Sequence, residues 1–136
     1  MSFRVWLFIA GLSALLSVLA AAHGAHALGT LTTLTGATRA YEIAQIFHLT
    51  HAVALFGIAT LFAATDGRRY VWGSLMLHLA GLGFLAGMTL FSGGIYYQVL
   101  KSVQLGNGII PAGGISFMAG WGALALSVFG FRRAVR

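Results

Sequence analysis

Charge is scarce in this chain of 136 residues: two acidic side chains against eight Lys and Arg, 7% charged in all. A soluble domain carries roughly 25% charged residues, so the chain cannot cover a water-facing surface. Cysteine is absent, which excludes a disulfide framework, a Cys-ligated cluster and a thiol nucleophile. There is one proline and no low-complexity tract, so no linker sets off a second domain. Disorder needs low hydrophobicity and high charge density, and the chain is 59% hydrophobic. No Ser, His and acid set is arranged for nucleophilic work. The Gly-rich segments lack the strand and Lys of a phosphate loop.

What is present is apolar length. Four stretches stand out: Val5–Leu28, Phe47–Ala64, Val71–Tyr97 and Gly113–Phe131. A helix needs ~20 residues to cross the hydrocarbon layer, and lipid leaves the backbone only helices or a closed barrel. Continuous apolar runs without period-2 alternation exclude the barrel. The chain is therefore expected to be an all-α membrane protein, a four-transmembrane-helix antiparallel bundle within a single integral membrane domain. The first stretch imitates a signal peptide, with Arg4 before it and small residues at Ala20, Ala21 and Ala22. Its apolar run exceeds the usual signal core of about 7–15 residues, so it is read as a retained helix.

The formal net charge of +6 is read as lipid anchoring rather than nucleic-acid binding. Arg4, Arg68, Arg69, Arg132, Arg133 and Arg136 fall on one side of a four-span topology, and Arg39 and Lys101 on the other. The positive-inside rule then assigns both termini to the cytoplasm. The Asp66–Arg69 segment reads as a tight turn. The outer loops are expected near residues 29–42 and 98–112.

Glycine is abundant, at 19 residues. Gly83 and Gly87 form a GxxxG pair; Gly113, Gly114, Gly120 and Gly122 line the fourth stretch; Ser13, Ser17 and Ala21 make a small-residue stripe on the first. Small residues let helix backbones approach in lipid. They serve packing within the bundle or a groove for a partner helix, and spacing alone does not separate the two.

Ionisable groups inside a membrane are the default functional candidates. His23 and His26 end the first stretch; His48 and His51 begin the second. Each pair is spaced i,i+3 and so lies near one helix face. All four imidazoles are expected at the outer membrane level, near Tyr41 and Glu42. One reading has them bonding backbone, water or Glu42. Another has them holding a metal ion, or haem b through one His from each helix, for instance His26 and His51. His78 is expected ~10 Å into the third helix, bonded to a Ser, Thr or carbonyl. Met76, Met88 and Met118 are scattered and read as packing.

The motifs then carry a resemblance. Gly24-Ala25-His26-Ala27-Leu28 closes the first stretch. Tyr41-Glu42 precedes His51-Ala52-Val53-Ala54-Leu55, and Phe91-Ser92-Gly93-Gly94-Ile95-Tyr96 follows. Ile110-Pro111-Ala112-Gly113-Gly114 comes next, with Gly120-Trp121 beyond. In this order the chain resembles the small four-helix inner-membrane family of the YgdD and YwdK type, a family of unknown function. His26, Glu42, His51, Ser92, Pro111, Gly113, Gly114 and Trp121 match the family pattern. His23 and His48 stand where the family usually has an aromatic and a Gln-like residue. The resemblance implies a bacterial inner-membrane bundle and no established activity.

Three functional expectations follow. The first is a non-enzymatic accessory or scaffold subunit of a membrane assembly, with the lipid bilayer, a complex partner or a second copy as its contacts. The second is a metal- or haem-binding protein using His23, His26, His48 and His51. The third is a small transporter or channel, for which no convincing repeat between the two hairpins is found.

Overall fold

The computed structural model describes residues 3–28, 35–65 and 71–130. Helix α1 is Phe3–Leu28 and α2 is Thr35–Ala64. Helix α3, Val71–Gly87, runs through a π-helical turn, Met88–Gly93, into α4, Gly94–Lys101. Helix α5, Ile109–Ser127, ends in a short 3₁₀ turn, Val128–Gly130. Four of the described segments are long and apolar enough to cross a membrane: Phe3–His26, Gly36–Ala64, Val71–Lys101 and Ile109–Gly130.

The helices are longer than the hydropathy indicates. Helix α2 starts at Thr35 rather than Phe47, so residues 35–42 are helix and not loop. The segment is too polar to read as a span, yet Ala37, Ala40, Glu42, Ala44 and Gln45 are good helix formers. Tyr41 and Ala44 are buried, so packing supplies what hydropathy lacks. The third helix continues to Lys101, where Ser102 turns left-handed at φ 52° and closes it. Helix α5 starts at Ile109, four residues before the apolar run, with Pro111 in its first turn, where a missing N–H costs nothing. The Asp66–Arg69 turn, residues 29–34 and the arginines at 132, 133 and 136 lie outside the described residues.

Each helix buries one stripe. On α1 it is Trp6, Ala10, Ser13 and Ser17; on α2 it is Tyr41, Ala44, His51, Leu55, Ile58 and Phe62. These spacings of three and four are one face of an α-helix. The remaining faces are apolar and bare: Val71 is 85% exposed, Phe129 80% and Phe8 69%. Such a surface would aggregate in water and suits lipid. The described core is built on Trp6, Leu55, Ile58, Leu77 and Phe84, with Phe62, Met88 and Phe117 around them.

Glycines set the helix separations. Gly81 meets the Trp6 indole, Gly87 the Phe117 ring, Gly120 the Phe84 ring and Gly24 the Tyr41 ring. Each aromatic occupies the place a side chain would take. Backbone meets backbone at three levels. A Cβ built on Gly83 would lie 2.8 Å from the Gly120 Cα, Gly113 abuts the Phe91 backbone, and Gly130 abuts Gly73. Gly83 and Gly87 thus face α5 of their own chain. Gly114 and Gly122 face open space, with nothing within 4 Å of a built Cβ.

Candidate functional site

Successive turns of α2 present Tyr41, Gln45, His48 and His51 along adjoining faces. The Tyr41 hydroxyl donates to the Ala20 carbonyl at 2.8 Å, which ties α2 to α1. Its ring lies 4.7 Å from that of Tyr96, and the Tyr96 hydroxyl stands 3.5 Å from His48 Nδ1.

One turn further along lies His51, buried at 4% exposure. The Trp121 indole N–H donates to its Nε2 at 3.1 Å. Its Nδ1 lies 2.7 Å from the Phe47 carbonyl oxygen. Indole nitrogen only donates and a carbonyl only accepts. Nε2 is therefore the bare nitrogen and Nδ1 carries the proton: His51 is a neutral imidazole of defined tautomer. Its ring stacks on Phe117 at 3.7 Å between centroids and meets Phe84 edge-on at 5.2 Å.

The same pairing occurs a second time, between α1 and α3. The Trp6 indole donates to His78 Nδ1 at 3.1 Å, and the His78 ring lies 4.6 Å from Phe62. The partner of His78 is thus an indole on α1, not the Ser, Thr or carbonyl that the sequence suggests. An N–H buried in lipid must find an acceptor, and matched depth on α1 and α3 supplies one.

The four histidines do not form one cluster. His23 and His26 are exposed on α1, whereas His48 is half-buried and His51 buried on α2. Among the described residues no three His, Asp or Glu side chains are grouped as metal ligands. The cause is the early start of α2. Gly24 packs against Tyr41, so the His23 and His26 end of α1 lies level with Tyr41, and His51 is ten residues, ~15 Å, further along the helix. A bis-His haem through His26 and His51 does not fit either, because both His51 ring nitrogens are engaged.

Ser92 lies at full burial in the π-helical turn, and its Oγ has no hydrogen-bond partner. The hydroxyls of Thr60, Thr65, Thr89, Ser116 and Ser127 all fold back on carbonyls three or four residues earlier. Ser92 does not. A π turn often marks a functional position, and nothing in the hydropathy of 88–93 signals it.

Between α1 and α2 opens a cleft of about 440 Å³, with Ala21, Gly24 and Ala25 on one wall and Thr38, Tyr41, Glu42 and Gln45 on the other. Glu42 is exposed and lines this cleft.

The model of a family described as "Protein of unknown function (DUF423)" matches residues 20–114, most of the chain. The chain belongs to this family. The "UPF0382 inner membrane protein YgdD" of Escherichia coli K12 is 30% identical over 83 residues, which are 61% of this chain and 58% of that relative. The match thus spans less than two thirds of that protein's length. The "UPF0382 membrane protein SAB0533" of Staphylococcus aureus is 31% identical over 91 residues, 67% of this chain and 68% of the relative. No solved structure matches the chain. Of the motif residues, His26, Glu42, His51, Ser92, Pro111, Gly113 and Gly114 fall inside the family match, and Trp121 lies just beyond it. This is a membrane protein of the DUF423 family, and the relatives' names state no activity.

Sequence reasoning missed the Trp121–His51 pair, the Tyr41–Tyr96–His48 chain and the π turn. A signal did exist for the two Trp–His pairs. Each indole N–H in an apolar span needs an acceptor, and the spans offer few.

Proposed function

We propose that this protein is a non-enzymatic accessory or scaffold component of a bacterial inner-membrane assembly, an antiparallel bundle with both termini in the cytoplasm. One observation carries the reading. The ring side chains of the described interior are committed to structural hydrogen bonds: His51 to the Trp121 indole and the Phe47 carbonyl, His78 to the Trp6 indole, Tyr41 to the Ala20 carbonyl. Side chains committed in this way hold helices and leave little for turnover. The contact register of α3 with α5 supports the antiparallel pairing, because Gly83, Gly87 and Phe91 meet Gly120, Phe117 and Gly113 in reverse order.

Native mass spectrometry of protein extracted mildly from its own membrane tests the role. A defined partner mass is expected. The bare chain or a plain homo-oligomer, found also after crosslinking in the membrane, overturns it. The orientation is open to single-cysteine labelling, since the chain has no cysteine of its own. Ser102→Cys should label from outside and Arg136→Cys only after lysis.

A further inference from the structure

The cleft between α1 and α2 holds an uncommon group for this chain. The protein has only two acidic residues, and one of them, Glu42, lines the cleft. Among the described residues no Lys, Arg or His lines it with Glu42. Arg39, one turn earlier, is exposed and forms no ion pair with Glu42 in the described structure. A carboxylate at a membrane surface without an internal counter-charge attracts an external cation.

The geometry narrows the cation. One carboxylate and one amide fall well short of the six to eight oxygens that Ca²⁺ takes, or the octahedron of Mg²⁺. A cleft of about 440 Å³ is of the size that takes small organic molecules. Glu42 and Gln45, three residues apart, share a helix face. They offer two carboxylate oxygens and an amide oxygen, a match in number to the three N–H donors of an –NH₃⁺ group. The Tyr41 ring is already packed against Gly24 and Tyr96 and its hydroxyl is committed to Ala20. A cation–π cage for a quaternary amine is therefore poorly provided, and a hydrogen-bonded primary amine is favoured. Gly24 lets Tyr41 seat against α1, and the small side chains of Ala21 and Ala25 keep that wall low.

We propose that the α1/α2 cleft binds a primary ammonium group through Glu42 and Gln45, supplied by an ethanolamine lipid headgroup or by a free alkylamine.

The test uses the full chain in detergent and in nanodiscs. Native mass spectrometry after incubation with phosphatidylethanolamine, phosphatidylcholine or phosphatidylglycerol reads lipid retention. Thermal melting with hexylamine or with hexanol reads free-amine binding. Retention of the ethanolamine lipid about tenfold above the choline lipid identifies a headgroup source. Stabilisation by hexylamine and not by hexanol identifies a free-amine source. Either effect should fall about tenfold in Glu42→Gln and in Ala25→Leu, two exposed positions where folding is expected to survive. Unchanged circular-dichroism melting without ligand verifies that. Equal retention of all three lipids together with equal hexylamine and hexanol curves overturns the proposal, as does undiminished binding in Glu42→Gln.

Discussion

Trp121 on α5 donates its indole N–H to Nε2 of His51 on α2, 70 residues away in sequence, at 3.1 Å. This bond fixes the imidazole tautomer and pins two helices in one register. A His–Trp pair recurs at Trp6 and His78, 72 residues apart. The bundle is thus clasped twice by the same donor and acceptor chemistry.

Trp121→Phe should destabilise the bundle by about 1–2 kcal/mol, because a buried Nε2 loses its partner. Adding His51→Phe should recover part of that loss, since both polar partners are then gone. Reversible unfolding in mixed micelles measures both. Equal stability of Trp121→Phe and the parent would mean that the pair contributes nothing.

Trp6→Phe should act through a different cost. The indole fills the space over Gly81, so the smaller ring leaves a void as well as an unpaired His78 Nδ1. A loss of about 2–3 kcal/mol is expected. Gly81→Ala should be damaging as well, because its Cβ would overlap the indole. Unchanged melting of both variants would remove Trp6 from the core.

Glycine substitutions should divide by contact and not by position along a helix. Gly87→Leu must displace Phe117, and Gly83→Ala meets the Gly120 backbone, which cannot yield; each should cost at least about 1–3 kcal/mol. Gly114→Ala and Gly122→Ala meet nothing and should gain up to about 1 kcal/mol of helix propensity. Four melting curves in one detergent decide it, and a uniform response across the four would contradict the packing described.

Ser92→Ala should be neutral or stabilising by up to about 1 kcal/mol, because the hydroxyl is buried without a partner and its removal loses no bond. A loss above about 1 kcal/mol would show that the hydroxyl has a bonding partner in the membrane.

Much of the fold was legible in sequence because hydropathy is a local sum. Four apolar runs separated by polar breaks suffice to place four helices in lipid, whatever their contacts. Helix ends were less legible. Residues 35–46 are polar enough to resemble a loop, and helix propensity together with burial of Tyr41 and Ala44 keeps them helical. The candidate site suffered most from that difference, because three extra turns carried His48 and His51 away from His23 and His26.

By itself the sequence determined the solvent, the number of spans and the family, through composition and motif order. The tertiary structure decided which polar groups meet. It set His51 under Trp121, His78 under Trp6, Glu42 in a cleft and Ser92 without a partner. The reason is physical. Partition into lipid depends on each segment alone, whereas a hydrogen bond depends on the depth and rotation at which two helices dock, and glycine contacts far apart in the chain set both.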